Sequence, residues 1–497
     1  MSKKIHVGVV GAGVSGLRCA DVLLAQGVKV TILEARDRIG GRFCQSDELG
    51  YTVDIGPNWI HTWDSGEVHP IFHLAQQTGT PLHKWNNKQL LFDTAGAALP
   101  SETTDRLSTL LWDVIGEAFA YSEAEHKKNG GVDIPAEDSL YDFVSRRAKE
   151  LLSESEADQE LLVQMSEMWG AYVGEPVWRQ SLRFAWMEEC CGGEEMFVAS
   201  NYRAIFDVIA KPAQDEAKIL LGKRVVSVMT SDDARASSGQ VQVTTTDGEV
   251  FSFDEVVMST PLGWLQKNKA ATFQPALPDR LSAAIDHLSF SYLEKVFITF
   301  PRAFWISDET QDNYASYTNW LAPTYAADTN PQKWPQEIWN LAAFDAPNRH
   351  PTLLFYTYGD CSRHIVDQVH GRSRDEKYRF ITDFFRPYYS RLPGYDPTMA
   401  DCVPKAVLAT TWQKDELNGN ASYCNFQVGI ETADQDVLAI RSGVPDRRLW
   451  FCGEHAAPFE ECGTVAGAYL SGQSAAENIL AANGLGGDGS GDGDDDK

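Results

Sequence analysis

Three glycines near the start of the chain have the spacing of a phosphate-binding turn. Gly11, Gly13 and Gly16 form the pattern G-x-G-x-x-G directly after an apolar run, residues 5–10, that predicts a buried strand. In such a turn the first glycine permits a tight bend, the second lets backbone approach a pyrophosphate, and the third lets the next helix lie close to the strand. The N-terminus of that helix favours anions, because its first N–H groups have no partner within the helix.

An acidic residue follows at the distance that a ribose requires. A helix that runs to about Gln26 is predicted by apolar residues at helical spacing, and Gly27 suits its C-terminal end. Residues 28–33 predict a second strand, which ends at Glu34. An acid about twenty residues after the glycines accepts hydrogen bonds from ribose hydroxyls. The order strand, glycines, helix, strand and acid therefore predicts a dinucleotide site.

A glycine pair farther along the chain narrows the choice of dinucleotide. Gly41 and its neighbour Gly40 lie among Arg36, Arg38 and Arg42, which suits a second backbone approach to phosphate with added positive charge. The segment EARDRIGGR resembles the E-A-x-x-x-x-G-G-R signature of FAD-binding amine oxidases, and a plain NAD domain does not need it. The resemblance implies an FAD domain paired with a substrate domain, and oxidation of C–N bonds.

The segment YTVDIGPNWIH, residues 51–61, resembles the part of that family that passes beside the flavin ring. Gly56 and Trp59 are therefore expected at the cofactor. Its Trp-Ile-His ending is more similar to polyamine oxidases than to monoamine oxidases. The resemblance makes His61 a candidate for contacting the amine or tuning its protonation. The alternative is a hydrogen-bonded structural histidine.

Two positions in the middle of the chain match functional positions of the family. A strand is predicted at residues 224–229, and the resemblance implies that the backbone of Val225 meets the adenine. Lys295 opens the alternating run EKVFITFPRAFW, where the family's lysine holds a water against the reactive ring nitrogen of the flavin. A buried lysine keeps its charge only with suitable partners. The alternative is a solvent-exposed lysine at a strand end.

The segment TTWQKDELNGNASYCNF, residues 410–426, matches the family pattern W-x-x-D…G-S-Y. The resemblance implies that Trp412 lies on the flavin and Tyr423 at its substrate face. Aromatic faces attract cations and also shape a slot for a neutral amine. Monoamine oxidases have a flavin-linking cysteine one residue before that tyrosine. Ser422 stands here, so we expect FAD to be bound non-covalently, with Cys424 unable to substitute.

The last block, residues 449–480, completes the resemblance. Gly453 and Glu454 follow an apolar strand, and Glu454 is expected to bond cofactor hydroxyls. Gly463 is predicted to open a helix of small residues that includes Thr464 and Val465, and the N–H groups at its N-terminus can face flavin carbonyls. Monoamine oxidases carry a second cage tyrosine where Thr464 falls. The slot is therefore expected to be wider or more polar, which counts against a small aromatic amine.

Four glutamates beside a Gly-Gly turn form an acidic cluster in the segment MEECCGGEEM, residues 187–196. A polycation would require carboxylates some distance from the reacting nitrogen. Glu194 is the first choice for this substrate contact, and a solvated charged loop is the alternative.

The fold class expected from these blocks is α/β. A Rossmann-like FAD-binding domain is assembled from residues 1–78, 200–290 and 402–483, and an α+β substrate-binding domain from 79–199 and 291–401. Helices are predicted at 101–125, 139–152 and 375–385, strands near 338–344 and 352–358, and a disordered tail at 484–497. A chain of 497 residues is too long for a single core.

Composition limits the partners. The formal net charge of −27 argues against nucleic acid and anionic membranes, and it is compatible with a cationic substrate. The nine cysteines are scattered without metal-ligand spacing, which favours reduced thiols in a cytoplasmic protein. We expect no signal peptide, because a strand pattern begins almost at once, and no membrane-spanning run. An oligomer is compatible with the sequence.

The resemblance implies an FAD-dependent amine oxidase. Hydride passes from the amine to the flavin, the imine hydrolyses to an aldehyde, and oxygen regenerates the flavin with release of hydrogen peroxide. His61, Tyr423 and Lys295 serve the reaction, and no metal is required.

Several substrates and functions are compatible with the sequence. Polyamines or acetylated polyamines are the first choice of substrate, and long-chain aliphatic primary amines are the second. An L-amino acid oxidase would need an arginine such as Arg183 or Arg203 at the substrate carboxylate. A flavoprotein that acts as a binding scaffold, such as a demethylase, is not favoured, because we find neither a long helical insertion nor a basic tail in the sequence. An NAD dehydrogenase without flavin is the remaining candidate, and it would be colourless where a flavoprotein is yellow.

Overall fold

The structure, a computed structural model, describes residues 5–86, 88–188, 192–231, 240–306 and 315–485. Nearly all of the tail predicted to be disordered lies outside the described residues. The same is true of Glu189 in the acidic cluster and of the adjacent Cys190 and Cys191.

The strands are short, and most have five residues or fewer. In chain order they are β1 His6–Val10, β2 Lys29–Leu33, β3 Gln45–Ser46, β4 Val53–Asp54, β5 Trp59–Trp63, β6 Leu82–His83, β7 Gln89–Phe92, β8 Gly192–Val198, β9 Lys218–Leu220, β10 Val225–Met229, β11 Val241–Thr245, β12 Val250–Phe253, β13 Glu255–Met258, β14 Phe273–Gln274, β15 Ser289–Phe290, β16 Glu294–Thr299, β17 Tyr317–Trp320, β18 Gln336–Asn340, β19 Thr352–Thr357, β20 Ala406–Ala409, β21 Cys424–Asn425 and β22 Leu449–Phe451.

The α-helices vary more in length than the strands. In chain order they are α1 Val14–Ala25, α2 Pro70–Thr78, α3 Ser101–Asn129, α4 Leu140–Leu151, α5 Glu156–Met165, α6 Gly170–Val173, α7 Arg203–Glu216, α8 Leu262–Thr272, α9 Asp279–His287, α10 Gly359–Val369, α11 Arg374–Tyr389, α12 Ala433–Ser442 and α13 Val465–Ala482. Within the described ranges, none of them is both long and apolar enough to cross a membrane.

The chain divides into two compact units, each built from separated segments. The first unit comprises residues 1–42, 205–286 and 434–497, and the second comprises 43–204 and 287–433. Residues 43–78 and 402–433, which the sequence analysis grouped with the FAD-binding segments, therefore lie in the second unit.

The first unit is organised around a parallel sheet. Its strand order is β22-β13-β1-β2-β9, and each neighbouring pair is parallel. The opening strand–helix–strand predicted from the sequence is confirmed in β1, α1 and β2. Buried apolar residues fill β1 and β2 because a sheet of parallel strands is covered on both faces. A second sheet in this unit has the order β12-β11-β10-β14.

Helix α13 lies directly against α1 in the first unit. A Cβ added to Gly472 would fall 2.1 Å from the carbonyl oxygen of Ser15, so the helices approach too closely for any larger side chain. The Arg18 guanidinium covers the Tyr469 ring at 4.4 Å and donates a 2.7 Å hydrogen bond to Gln473. The last helix therefore supports the helix that follows the glycine-rich turn.

The second unit contains a six-stranded sheet of order β20-β16-β19-β18-β17-β7. One face packs against α10 and α11 through a large apolar cluster that includes Phe355, Ile365 and Phe385. The other face carries Lys295 and a group of aromatic residues, because side chains alternate between faces along each strand. Helices α3, α4 and α5 form a separate core around Leu107, Val144 and Leu162.

Several predicted boundaries are corrected by local hydrogen bonds. The strand predicted at 338–344 is β18, Gln336–Asn340; the Asn340 side chain then accepts from the Ala342 N–H and begins a 3₁₀ turn. The helix predicted at 375–385 is the longer α11, which starts with a capping box between Ser373 and Glu376. The Gly-Gly turn predicted in the acidic segment is instead the start of strand β8.

Candidate active site

The glycine-rich turn between β1 and α1 leaves open space above Gly13. A Cβ at Gly13 would have no atom within 4 Å, although its φ of −76° and ψ of 178° are angles that other residues adopt. A Cβ at Gly16 would lie 2.2 Å from the Gly11 carbonyl oxygen, so glycine is required there by close packing. The space above Gly13 fits a phosphate group, and a Cβ would project into it.

Glu34 is buried beside this turn, with only 6% of its surface exposed. One carboxylate oxygen accepts from the Ala12 N–H and the other from the Arg36 N–H, both at 2.8 Å. Its backbone carbonyl accepts from the Lys223 N–H at 2.8 Å, two residues before Val225. The carboxylate thus holds the turn in shape, in addition to the ribose contact expected from the sequence.

The second glycine pair lies against the first turn. The Gly40 N–H donates to the Ala12 carbonyl at 2.8 Å, and a Cβ at Gly41 would lie 3.6 Å from the Gly13 Cα. Arg42 donates a 2.9 Å hydrogen bond to the buried carboxylate of Glu454. The structure therefore brings the opening turn, the glycine pair and the closing segment together within the first unit.

The start of α13 differs from the sequence expectation in one respect. The helix begins at Val465, and Thr464 is its N-cap: the Thr464 hydroxyl accepts from the Gly467 N–H at 2.9 Å and donates to the Glu461 carboxylate at 2.6 Å. The hydroxyl of Thr464 is thus already used in capping. Gly453 has a φ of 154°, and a Cβ there would lie 2.5 Å from the His455 ring.

Lys295 of β16 is buried in the second unit, with 5% of its surface exposed, and is not the exposed lysine of the alternative interpretation. Its ammonium donates to the Gly56 carbonyl and to the Asn58 side-chain oxygen. The Tyr356 hydroxyl donates to the same Asn58 oxygen at 2.9 Å, and the Tyr356 ring lies 5.6 Å from the Lys295 nitrogen. Segment 56–58 and strand β19 therefore fix the amino group on one face of the sheet.

Burial shifts the pKa of this amino group. It lowers the pKa of Lys295 below its ordinary value, although the nearby carboxyls of Asp54 and Glu294 act in the opposite direction. Burial also raises the pKa of Asp54, against hydrogen bonds from Gln45 at 2.7 Å and from the Tyr202 N–H at 2.8 Å. Both groups are therefore easier to neutralise than they would be in water.

Two tryptophans predicted at the cofactor lie near the same segment. The Trp412 indole donates to the Ile55 carbonyl at 3.0 Å, and the Trp59 indole donates to the Tyr356 hydroxyl at 3.1 Å. The Trp59 ring is also in edge contact with Phe197 and Trp339. The structure thus gathers Gly56, Trp59, Lys295 and Trp412 around residues 55–59.

His61 has a carboxylate partner that the sequence analysis did not select. His61 lies opposite Glu195 in the β5–β8 pairing, and its Nδ1 forms a hydrogen bond with the Glu195 carboxylate. Glu194, the first choice from the sequence, has a side chain that is 61% exposed and pairs with Lys84. Neighbouring residues of a strand point to opposite faces, so only one of these two glutamates can meet His61.

Tyr423 is anchored through both its side chain and its backbone. Its hydroxyl donates to the Tyr172 carbonyl, and its own carbonyl accepts from the Ser291 N–H at 2.8 Å. The Ser422 hydroxyl donates to the Leu293 carbonyl at 2.7 Å, while Cys424 is buried in β21 as a free thiol. These anchors fix the position of the aromatic ring.

Several residues of this arrangement were missed in the sequence. Asp54, Asn58 and Tyr356 surround Lys295, and Glu195 meets His61. Asp54 and Asn58 could have been found from the sequence, because each lies two positions from Gly56, a residue already expected at the cofactor. Tyr356 could not be found in this way, because strand register relates residues that are distant in the sequence.

The described elements define a two-unit, mixed α/β protein whose first unit opens with a glycine-rich strand–helix–strand segment and whose second unit holds a buried lysine. A family model described as flavin containing amine oxidoreductase matches residues 14–480, so the chain belongs to that family. Oxidoreductase chemistry on amines, with a flavin cofactor, follows from this membership.

Individual members of the family share only about a quarter of their residues with this chain. The chain is 26% identical to probable polyamine oxidase 4 of Arabidopsis thaliana over 95% of its own length and 86% of the relative. It is 25% identical to polyamine oxidase 1 of Zea mays, over 95% and 89%. It is also 27% identical to lysine-specific histone demethylase 1 homolog 1 of Arabidopsis thaliana, over 96% of this chain but only 52% of that protein.

Proposed function

We propose that the protein is an FAD-dependent amine oxidase that uses oxygen as electron acceptor and releases hydrogen peroxide. Family membership supports amine oxidation, and the observation that carries the proposal is the buried Lys295 group. A lysine whose charge is disfavoured by burial, held by the Gly56 carbonyl and Asn58, is suited to hold a water and exchange a proton.

The first unit is proposed to be the core of a Rossmann-like FAD-binding domain. The open space above Gly13 accommodates the diphosphate, Gly11 and Gly16 shape the turn, and Gly41 provides the second backbone approach. The remaining contacts are proposed for Glu34, Arg36, Arg42, Val225, Gly453, Glu454, Thr464 and Val465. Gly56, Trp59 and Trp412 are proposed for the flavin ring.

Non-covalent binding of FAD is proposed because the linking cysteine is missing. Ser422 occupies that position and its hydroxyl is bonded to the Leu293 carbonyl. Cys424 is only 4% exposed. Acid precipitation of the holoprotein is expected to release FAD into the supernatant.

When bound, the flavin supplies the hydride acceptor. His61 and Tyr423 are proposed to orient the amine, and the Glu195 carboxylate holds the His61 ring through Nδ1. The anchored Tyr423 ring provides a flat wall that attracts a cation and guides a neutral amine. Lys295 is proposed to hold a water and move a proton at Nζ.

Polyamines or acetylated polyamines are the proposed substrates, supported by the Trp-Ile-His segment and by relatives named as polyamine oxidases. Long-chain primary amines are the second choice, since Thr464 replaces a cage tyrosine. An L-amino acid oxidase has less support: the Arg183 side chain donates to the Ile134 carbonyl at 2.7 Å. Direct contact of Glu194 with substrate is weakly supported, because Lys84 pairs with this carboxylate.

A cytoplasmic location and action on small molecules without nucleic acid or membrane partners are also proposed, on charge and composition alone. The histone demethylase homolog among the relatives is about twice as long as the matched region, so its name transfers no partner to this chain.

A peroxide-release screen tests the function. The purified holoprotein is expected to release hydrogen peroxide with spermine or acetylspermine faster than with alkyl monoamines or L-amino acids. Turnover of alkyl amines without turnover of spermine would reject the polyamine assignment and retain the oxidase. If no peroxide is released with any of these amines, the oxidase function is rejected.

A further inference from the structure

Four polar side chains form a row across one face of the six-stranded sheet. Asn319 pairs with Glu337 between β17 and β18, and Lys295 pairs with Tyr356 between β16 and β19. The pairing of Ile338 with Phe355 brings Glu337 next to Tyr356. We call Asn319, Glu337, Tyr356 and Lys295 the polar row. Neighbouring strands are separated by about 4.8 Å, so the Glu337 backbone lies about 10 Å from that of Lys295.

Glu337 is a buried acid whose carboxylate accepts hydrogen bonds from two neutral donors. It is 5% exposed, and its two carboxylate oxygens accept from the Asn319 side chain at 2.9 Å and from the Trp339 indole at 3.0 Å. Among the residues that the structure describes, no lysine, arginine or histidine forms an ion pair with it. Two neutral donors do not compensate a full negative charge in a buried site. Burial accordingly raises the pKa of Glu337 to about 7.

Aromatic rings surround this carboxylate. Trp339 lies 4.8 Å from Trp59, 5.0 Å from Trp85 and 5.2 Å from Tyr317, measured between ring centroids. The Tyr317, Tyr356, Tyr172 and Tyr358 hydroxyls are the titratable groups that sense the charge of Glu337. A carboxylate among aromatic faces provides the two features that bind ammonium groups.

We propose that Glu337 binds a second ammonium group of the substrate and so gives the enzyme its preference for diamines and polyamines over monoamines. The inference rests on the proposed amine oxidase function and adds a specificity residue to it. The C–N bond of the reacting amine is oxidised to an imine at the Lys295 end of the polar row, and the distal ammonium pairs with the Glu337 carboxylate. The distance between Lys295 and Glu337 thus selects substrates by the separation of their two nitrogens.

The test compares two substrates of equal chain length, terminal diaminooctane and octylamine, on FAD-loaded protein. Glu337→Gln is expected to raise the KM for diaminooctane about 10- to 100-fold, the range of one lost hydrogen bond to a charged group. The KM for octylamine, kcat and flavin content should stay near those of the unchanged protein. An equal effect on both amines, or on neither, would overturn the inference while leaving the oxidase function intact.

Glu167→Gln is the matched control. Burial also raises the pKa of Glu167 to about 7, but this residue lies in a 3₁₀ turn, Ser166–Trp169, and outside the polar row. It should leave both KM values unchanged. A rise in the diaminooctane KM as large as that of Glu337→Gln would show a general response to losing a buried carboxyl and would contradict the inference.

A second variant keeps the charge and moves it. Glu337→Asp withdraws the carboxylate by one methylene, so the preferred substrate should shift from diaminooctane toward the longer diaminodecane. An unchanged chain-length preference would overturn the inference even if Glu337→Gln fails to fold. If the unchanged protein oxidises neither diaminooctane nor octylamine, the proposed function itself fails, which is a different result from either of these.

Discussion

At the residue scale, Lys295 is the side chain around which the candidate site is built. The alternating apolar run at 295–300 predicted the strand, and the resemblance predicted the role. The structure adds the surroundings of this side chain: burial lowers the pKa of the ammonium, and Asn58 and the Gly56 carbonyl hold it in place. Asp54, whose carboxyl acts against the effect of burial on this pKa, lies more than two hundred positions earlier and could not be paired with Lys295 from the sequence.

Removal of the Lys295 amine tests its role. Lys295→Met should slow anaerobic flavin reduction by the amine, or reoxidation by oxygen, by at least about 100-fold, the lower range for loss of a proton-transfer group. FAD content should be unchanged, and stopped-flow absorbance measures both half-reactions. Lys211→Met, which alters a lysine whose side chain is 71% exposed, is the control and should leave both rates alone. Normal rates in Lys295→Met would reject the proposed role.

Glu337 predicts a pH-dependent stability. Its pKa is raised by burial from 4.5 to about 7, so the protonated carboxyl favours the folded state. This contribution is fully present below pH 4.5 and is lost as the pH rises through about 7, at up to about 3 kcal/mol. In denaturant titrations, the stability of Glu337→Gln relative to the unchanged protein should therefore increase from pH 5 to pH 8. A difference that does not vary with pH would show that Glu337 is not buried as described.

At the element scale, the sequence predicted those elements whose signal is local. The β1–α1–β2 unit, the helices on either side of Gly130 and strand β10 are confirmed within a few residues. Strand β8 was missed because its Gly-Gly start and its two glutamates, Glu194 and Glu195, have low strand propensity; pairing with β5 and β6 overrides it. The His61–Glu195 contact depends on that pairing and was missed with it.

Substitutions at two glycines of the first unit distinguish an effect on FAD binding from an effect on helix packing. Gly13→Ala adds a methyl group to open space and should preserve the melting temperature of the apoprotein, but weaken FAD at least about tenfold, or by about 1.4 kcal/mol. Gly472→Ala forces its Cβ against Ser15 and should destabilise the fold by about 1–3 kcal/mol. Flavin titration and thermal melting of both variants measure this. Equal FAD affinity in Gly13→Ala and the unchanged protein would show that no phosphate lies above Gly13.

At the scale of the whole molecule, the sequence predicted a mixed α/β chain with discontinuous segments and membership of the amine oxidase family. It did not predict where the chain passes between units. Segment 43–78 follows the glycine pair without a break in pattern, yet it pairs with β8 and contributes Asp54 and Asn58 to the second unit. Unit membership is decided by contacts between distant strands, which composition and periodicity do not reveal.

The charge of the molecule agrees with this account of specificity. A formal net charge of −27 attracts cations over long distances, but it does not select among them. Selection is assigned to Glu337, a single buried carboxylate at a fixed separation from Lys295. High salt is therefore expected to slow the association of diamines with the enzyme, while the preference of the enzyme for diamines over monoamines remains.

Oxidation of amines by a bound flavin is tested by the flavin absorbance of the purified protein during anaerobic mixing with an amine. We expect a yellow protein whose visible flavin band is bleached by spermine or diaminooctane and returns when oxygen is admitted, with one hydrogen peroxide formed per flavin. A protein that stays colourless after incubation with FAD, or a flavin band that no amine bleaches, would contradict it.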